Sequence, residues 1–249
     1  MLVADMLPAI IVTGAASGIG LETAIALGEQ GRTVALCDID EPMLAVAAVQ
    51  VRAVGGEPIA LPTDLRDERA IIELVRTAGA RHRLGGIVHS AGLFPQLSFA
   101  ESELTDLDQV MAVNFRAAFA LAKAGVEAMG GAGGALVFLT SGAGLLEMAS
   151  DPFQQRFSLY GASKAALDRW ALGIARELIA ANVAVSTVTP GAFVRTPGTS
   201  RIDLEKMPDP KEIDASAVGK AVAWLASEPR MHLAGHRLNA AEYGHTWGG

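Results

Sequence analysis

The sequence predicts an α/β fold, in which helices cover both faces of a doubly wound, mainly parallel seven-stranded sheet. Three observations lead to this prediction. Short β-branched runs alternate with longer helical stretches along the whole 249-residue chain. The strand-like runs are almost continuously apolar, as expected where both faces of a parallel sheet are buried. A strand–helix–strand repeat also favours right-handed crossovers, which wind such a sheet outward from its centre.

The elements follow from this alternation. Strands are predicted at 9–13, 33–37, 58–61, 86–89, 135–140, 183–188 and 236–239. Helices are predicted at 19–30, 42–54, 68–80, 107–129, 159–181 and 215–227. Two stretches, 142–158 and 192–214, have no regular pattern; long irregular segments in a compact domain are often binding loops or lids.

Composition excludes several classes of protein. Hydrophobic residues make up 51% and charged residues 19%, which argues against disorder. The net charge of −7 disfavours a nucleic-acid partner, and no apolar run is long enough to span a membrane. The start of the chain lacks the positive charge of a signal peptide, and a single cysteine, Cys37, suits a reducing compartment. We therefore expect a cytoplasmic globular protein.

A glycine-rich loop follows the first predicted strand and opens the first predicted helix. Its spacing is G-x-x-x-G-x-G rather than the commoner G-x-G-x-x-G. Glycines let the backbone approach a pyrophosphate, while the helix N-terminus offers unpaired N–H groups. Glycines that serve packing alone are the alternative. The residues expected to bind a dinucleotide here are Gly14, Ser17, Gly18, Ile19 and Gly20.

Two aspartates follow the second and third predicted strands. A carboxylate at Asp38 can accept hydrogen bonds from both hydroxyls of an adenosine ribose, whereas it would repel the 2′-phosphate of NADP. No Lys or Arg at 39–41 compensates, so Asp38 favours NAD; an ordinary solvated turn residue is the alternative. Asp64 is expected to cap the next helix, to approach the adenine edge, or to do both.

Three side chains carry candidate chemistry. Tyr160 and Lys164 are spaced i and i+4, which places them on one face of a helix. A nearby ammonium favours the tyrosine phenolate, so Tyr160 becomes a usable acid and base for a carbonyl/alcohol pair. Ser141 ends a predicted strand, where open α/β sheets bind ligands, and its hydroxyl could hydrogen-bond a substrate oxygen. A nucleophilic serine is disfavoured, because neither a G-x-S-x-G elbow nor a strand-end His with an Asp partner is evident.

The order of these pieces resembles the short-chain dehydrogenase/reductase family, of the compact single-domain type, over nearly the whole chain. The matching pieces are 13–20, Asp64-Leu65, Ala91-Gly92, Asn114, Ser141, 160–164, Pro190-Gly191 and Thr196. The resemblance implies a Rossmann-like oxidoreductase domain, residues 1–249, that binds a nicotinamide dinucleotide.

The resemblance also implies a role for each matching residue. Tyr160 would be the acid and base, and Lys164 would lower its pKa and hydrogen-bond the nicotinamide ribose. Ser141 would orient the substrate, and Asn114 would hold a water of the proton relay. Further cofactor contacts would come from Asp64, Leu65, Ala91, Gly92, Pro190, Gly191, Val194 and Thr196, the last two near the carboxamide.

Three segments depart from the family pattern. His89-Ser90 stands where two asparagines are usual, and His89 is interpreted as a structural substitute rather than a second base. Ser141 and Tyr160 are separated by nineteen residues, more than is usual. The extra loop could line an apolar substrate pocket or pack on a neighbouring subunit; its apolar side chains are Leu145, Leu146, Met148, Phe153 and Phe157. The last stretch of the sequence, 243–249, also differs from the usual ending in the family.

The preferred prediction is hydride transfer between NAD(H) and a secondary alcohol or ketone, with an apolar substrate. One alternative is a 3-oxoacyl thioester reductase using NADPH, against which Asp38 argues; another is an NAD-binding sensor without turnover. No metal site is expected. In the family the helices predicted at 107–129 and 159–181 pair across subunits, so a homodimer or homotetramer is expected.

Overall fold

The structure of the protein is a computed structural model that describes residues 7–200, 202 and 211–248. Seven of its strands form one sheet in the order β3-β2-β1-β4-β5-β6-β9, and every neighbouring pair is parallel. The doubly wound fold class is confirmed. The strands are β1 (Ala9–Thr13), β2 (Thr33–Asp38), β3 (Glu57–Pro62), β4 (Leu84–His89), β5 (Gly134–Leu139), β6 (Val183–Thr189), β7 (Phe193–Val194), β8 (Glu212–Ile213) and β9 (Arg237–Asn239).

Helices cover both faces of the sheet. One face carries α1 (Gly18–Glu29), α2 (Glu41–Ala53) and α7 (Ala215–Ser227), and the other carries α3 (Glu68–Ala78), α5 (Ala117–Met129) and α6 (Ser158–Leu178). Strand residues alternate between the two cores, so Ile10 and Val12 pack into the first and Ile11 into the second. Because both faces are covered, β1, β4, β5 and β6 are buried at every position, which explains their continuous apolar runs. No helix in the described part of the chain is both long and apolar enough to cross a membrane.

The helix predicted at 107–129 starts earlier and is interrupted. Helix α4 (Leu104–Met111) leads into a π-helical turn (Ala112–Arg116), which continues into α5. A π-turn inserts one residue into a helix and often marks a functional site. The expected uninterrupted α-helix was wrong at this point. One inserted residue rotates the following positions by about 100°, and a stretch rich in Ala and Leu on more than one face hides that rotation.

The two segments predicted to be irregular contain short regular pieces. Segment 142–158 folds as three 3₁₀ turns, Gly142–Gly144, Leu146–Met148 and Pro152–Phe157. In segment 192–214, β7 and β8 pair in parallel, and Arg195 forms a 2.8 Å ion pair with Glu212 across them. Strands of two residues are too short to show a sequence period. Pro208 and Pro210 lie outside the described residues.

The strand register sets up one edge of the sheet. Thr13 of β1 lies beside Cys37 of β2 and His89 of β4, and the same row continues through Phe138 and Thr187 to Arg237 of β9. The strand order reverses between β1 and β4, and open α/β sheets bind ligands at such a switch point, outside the carboxyl ends.

Candidate active site

A cleft of about 980 Å³ lies along the carboxyl edge of the sheet. With the exception of Asn114, every residue that the sequence analysis assigns to the site lines this cleft. These residues are Gly14, Ser17, Gly18, Ile19, Gly20, Asp38, Asp64, Leu65, Ala91, Gly92, Ser141, Tyr160, Lys164, Pro190, Gly191, Val194 and Thr196. The fold therefore brings together positions that are far apart in the sequence.

The glycine loop forms a backbone cradle at one end of the cleft. Gly14 has a φ of +68° and Gly18 a φ of +57°, in the left-handed region that favours glycine. A Cβ on Gly14 would lie 2.9 Å from the backbone of Ala91, and one on Gly20 would overlap the carbonyl oxygen of Gly14. Ser17 caps α1 without a side-chain hydrogen bond, so the N–H groups of the first turn remain available. This cradle fits the pyrophosphate of a dinucleotide.

Asp38 is fixed beside this cradle. Its Oδ2 accepts a hydrogen bond from the backbone N–H of Ala16, and its Oδ1 accepts one from that of Asp40, both at 3.1 Å. An ionised carboxylate has about four acceptor positions, so these two bonds orient the group and leave capacity for a ligand. The position fits a pair of ribose hydroxyls.

Asp64 is held by an arginine and does not cap a helix. Arg66 donates from Nη2 to Oδ2 at 2.6 Å and from Nε to Oδ1 at 2.9 Å, and this hydrogen bonding lowers the pKa of Asp64. The residue that caps α3 is Asp67, whose side chain accepts from the N–H of Arg69 at 2.8 Å. The expected capping role of Asp64 was therefore wrong, while its place in the cleft agrees with the other expectation.

Tyr160 and Ser141 meet at the other end of the cleft. Ser141 follows β5 and Tyr160 lies in the first turn of α6, and their side chains share a hydrogen bond. Burial raises the pKa of Tyr160, and the hydrogen bond with Ser141 partly opposes this. The ring of Phe94 packs edge-on against Tyr160, with 5.7 Å between centroids. Since the net shift is upward, the phenol is protonated at neutral pH.

Lys164 lies behind Tyr160 and is only 3% exposed. Its Nζ donates a 2.7 Å hydrogen bond to the carbonyl oxygen of Leu139 and lies 5.7 Å from the Tyr160 ring centroid. Burial lowers the pKa of Lys164 to about 8, and the negative charge of Asp168 partly opposes this shift. The structure differs from expectation at Tyr160, whose pKa is raised rather than lowered because burial outweighs the other influences.

Asn114 lies in the π-turn, fully buried and outside the cleft lining. Its Oδ1 accepts from the N–H of Leu93 at 2.7 Å, and its Nδ2 donates to the Leu93 carbonyl at 2.8 Å and to Ser163 Oγ at 2.9 Å. Ser163 Oγ in turn donates to the carbonyl of Tyr160 at 2.7 Å. The side chain thus ties the π-turn to α6 and the loop after β4. Its role in a proton relay stays a prediction.

His89 is fully buried and does not line the cleft. Its Nδ1 lies 3.0 Å from Thr13 Oγ1, which also accepts from the N–H groups of Ser90 and Ala91 at 3.2 Å each. Burial, followed by the charge of Lys164, lowers the pKa of His89 to about 3. The residue is therefore neutral and joins β1 to β4, which supports the structural interpretation.

The two irregular segments and the loop after β4 line the substrate end of the cleft. Leu145, Met148 and Phe157 face it, whereas Leu146 is 88% exposed. Three apolar side chains of the extra loop therefore line the cleft, in agreement with one of the two interpretations; packing on a neighbouring subunit stays a prediction. The side chain of Phe153 lies outside the described residues. Lining residues that sequence reasoning missed include Leu93, Phe94, Gln109, Gln154, Phe193, Lys211 and Arg237. None of them belongs to a pattern that a sequence could reveal.

Comparison with known proteins agrees with this geometry. The short chain dehydrogenase family model matches residues 8–206. An uncharacterized oxidoreductase of Thermotoga maritima is 31% identical over 82% of this chain and 78% of its own length. The ketoacyl reductase HetN of Nostoc is 31% identical over 86% of this chain and 74% of its own length. A crystal structure of a short chain dehydrogenase from Burkholderia cenocepacia in complex with NADP is 27% identical, with a TM-score of 0.83 over 94% of this chain and 98% of that one.

The chain belongs to the short-chain dehydrogenase/reductase family. It is therefore an oxidoreductase of the type that binds a nicotinamide cofactor and acts on a small-molecule substrate.

Proposed function

We propose that the protein transfers hydride between NAD(H) and the secondary alcohol or ketone of an apolar substrate, with Tyr160 as acid and base. The observation that carries this proposal is the meeting of Tyr160, Ser141 and Lys164 at one end of a cleft whose other end is the glycine cradle with Asp38. A group bound in the cradle and extending along the cleft would reach the three side chains.

The protein handles the proton in this reaction. When bound, the nicotinamide supplies or accepts the hydride. In ketone reduction the protonated Tyr160 donates its hydroxyl proton to the substrate oxygen, and in alcohol oxidation the deprotonated Tyr160 accepts the proton of the substrate hydroxyl. Ser141 shares a hydrogen bond with Tyr160 and can donate to the same oxygen as charge develops on it. Lys164, anchored on the Leu139 carbonyl, places a positive charge behind the phenol.

The preference for NAD rests on Asp38. In this proposal its carboxylate binds the adenosine ribose, where a 2′-phosphate would meet a like charge. Arg66, which also lines the cleft, is already engaged with Asp64 in a two-pronged pair and leaves Asp38 uncompensated. The Burkholderia relative was solved with NADP, so the family alone does not decide the cofactor.

The substrate end favours an apolar molecule. Leu145, Met148, Phe157 and Phe94 supply apolar lining to the cleft, beside the polar side chains of Gln109 and Gln154. The named activity of HetN supports a second candidate, a ketoacyl thioester reductase. That candidate needs a long, flexible substrate and, in most enzymes of its kind, NADPH.

We further propose that the protein is a homodimer or homotetramer. The π-turn, α5 and α6 carry an aromatic cluster in which Trp170 lies 5.8 Å from Phe115 and 5.7 Å from Phe119, measured between ring centroids. Phe119 is 47% exposed, which leaves apolar surface for a second copy. Light scattering at micromolar concentration should show a species of at least twice 25.8 kDa.

The experiment that tests the function compares cofactors first and substrates second. Titration with NAD⁺ and NADP⁺ should show tighter binding of NAD⁺ by at least about tenfold. A panel of cyclic, aromatic and steroidal alcohols, with short polar alcohols and a 3-hydroxyacyl thioester beside them, is then followed by NADH formation. Turnover of the apolar ring alcohols supports the proposal.

Three other outcomes would contradict parts of it. Preference for NADP⁺ with turnover of the thioester supports the ketoacyl reductase instead. Activity confined to small polar alcohols contradicts the apolar substrate. Tight NAD⁺ binding without turnover of any alcohol or ketone indicates a binding protein.

A further inference from the structure

A partly buried ion pair lies next to Ser141 and Lys164, and the family assignment does not explain it. Arg237 of β9 donates from Nε to Oδ2 of Asp168 at 2.9 Å, and from Nη2 to the backbone carbonyl oxygen of Ser141 at 3.0 Å. The side chains are 23% and 13% exposed, respectively. Asp168 lies one helical turn after Lys164 on α6. One guanidinium thus connects the last strand, the main chain at Ser141 and the helix that carries Tyr160 and Lys164.

Such a pair is a poor way to stabilise a fold. Removing two charges from water is costly, and apolar residues of similar size often stabilise a protein at least as well. The Oδ1 atom of Asp168 is buried and has no hydrogen-bond partner among the described residues. The place of the pair, in contact with the segment that holds the active site, supports a role in the reaction.

The charge of Asp168 acts on Lys164. The charged or titratable groups around Lys164 are Tyr160 and Asp168 on its own helix, His89 from β4, and Arg237 from β9 behind Asp168. His89 is neutral, so Asp168 is the one anion of this set. Burial lowers the pKa of Lys164 to about 8, and Asp168 raises it. Without Asp168, Lys164 would lose its proton at lower pH and would face Arg237 without an intervening anion.

Resting on the proposed function, we propose that Arg237 and Asp168 are positioning residues: Arg237 holds the main chain of Ser141, and Asp168 keeps the positive charge on Lys164. Neither touches the reacting atoms in this role. The two parts of the proposal, the Arg237 arm and the Asp168 arm, can be tested separately. Arg237 binds the Ser141 carbonyl through Nη2 and binds Asp168 through Nε.

The Asp168 arm is tested by titrating Lys164 directly. The chain has five lysines, so ¹³C labelling at lysine Cε gives few NMR signals, and the signal lost in Lys164→Met identifies Lys164. In Asp168→Asn the midpoint should fall by roughly one pH unit. Ketone reduction requires a protonated Lys164, so activity is lost as pH rises, and this alkaline limb should move to lower pH by the same amount. Glu177→Gln, which removes an exposed carboxylate from the same helix, should leave the Lys164 midpoint and the alkaline limb of activity unchanged.

The Arg237 arm is tested with Arg237→Lys. Lysine keeps a positive charge beside Asp168 but cannot bridge to Ser141 as the planar guanidinium does. The Lys164 midpoint should stay in place, while kcat for ketone reduction should fall about tenfold with little change in KM. If Arg237→Lys reduces the amount of folded protein, the double variant Asp168→Asn/Arg237→Gln, which removes both charges of the pair, should show the same loss of kcat at a pH below its own Lys164 midpoint.

The outcomes distinguish this inference from the proposed function. An unmoved Lys164 midpoint in an active Asp168→Asn enzyme overturns the Asp168 arm and leaves the function standing. Full kcat in both Arg237 variants overturns the Arg237 arm. If no substrate is ever turned over, the proposed function fails and the Arg237 arm with it, while the NMR titration still decides the Asp168 arm.

Discussion

The two ends of the cleft are built by different means. The nucleotide end consists of strand ends and a glycine loop, held by backbone hydrogen bonds such as that from the N–H of Ala15 to the carbonyl oxygen of Cys37. The substrate end consists of 3₁₀ turns and loops, whose side chains make the wall. A backbone-built end admits little variation, whereas a wall of loop side chains can change without disturbing the sheet. On the proposed function, the fold determines that a dinucleotide binds, whereas the loop side chains determine which substrate is accepted.

The largest effect is expected from removing the hydroxyl of Tyr160, where the bound cofactor and the substrate would meet. Tyr160→Phe keeps the ring and its contact with Phe94 but removes the hydroxyl. We expect kcat to fall by about a thousandfold, because no other group on the substrate oxygen can exchange its proton. NADH affinity, measured by fluorescence titration, should stay within about threefold, because the cradle is untouched. Tyr243→Phe, at the chain's other tyrosine, is the matched control and should keep full turnover.

The nucleotide end is tested by its charge. In Asp38→Asn the shape and one acceptor remain while the charge is lost, so NADP⁺ should bind better and NAD⁺ somewhat worse. The ratio of the two dissociation constants should change by roughly thirtyfold, equivalent to about 2 kcal/mol. Glu41→Gln removes the same charge at a residue that does not line the cleft, and its ratio should match the wild type. An unchanged ratio in Asp38→Asn means that Asp38 does not select the cofactor.

We expect His89, the buried residue that joins β1 to β4, to make the free energy of unfolding depend on pH. His89 has a folded pKa of about 3, below the ordinary value near 6.5, so the unfolded chain binds the proton more tightly. Its contribution to stability is complete above about pH 6.5 and is lost as pH falls toward the folded pKa. Between pH 7.5 and 5, the free energy of unfolding should fall by about 2 kcal/mol on account of this residue. Urea denaturation of wild type and His89→Asn measures this, and equal pH slopes in the two proteins would falsify the assignment.

Much of the nucleotide end could be predicted from the sequence, since its residues lie at the ends of predicted strands or just after them. Asp38 was found because a continuous apolar run ends just before it. Ser141, at the other end of the cleft, was found in the same way, since the ends of parallel strands share one edge. The interrupted helix was missed, because the stretch is apolar on more than one face and so hides the phase shift of a single inserted residue. The capping of α3 by Asp67 rather than Asp64 was missed because both precede the helix within one turn.

The substrate end and the buried ion pair could not be predicted in the same way. Phe94 and Gln109 reach the cleft from a loop and from α4, and nothing in their local pattern distinguishes them. Arg237 comes into contact with Ser141 only because β9 is the last strand added beside β6. Contacts between elements so far apart in the sequence depend on tertiary packing, which periodicity does not report.

The smallest expected effect concerns the loop wall itself. Met148→Ala should raise KM for a bulky apolar alcohol by about tenfold, because truncation removes apolar contact with the substrate. NADH affinity should not change, since Met148 lies at the substrate end. Leu146→Ala, two residues earlier and 88% exposed, is the matched control and should leave KM as it is. Steady-state kinetics with one bulky and one small alcohol measures both variants. If Met148→Ala raises KM equally for both alcohols, the loop does not select by size, and the division of the cleft into a fixed and a variable end fails at Met148.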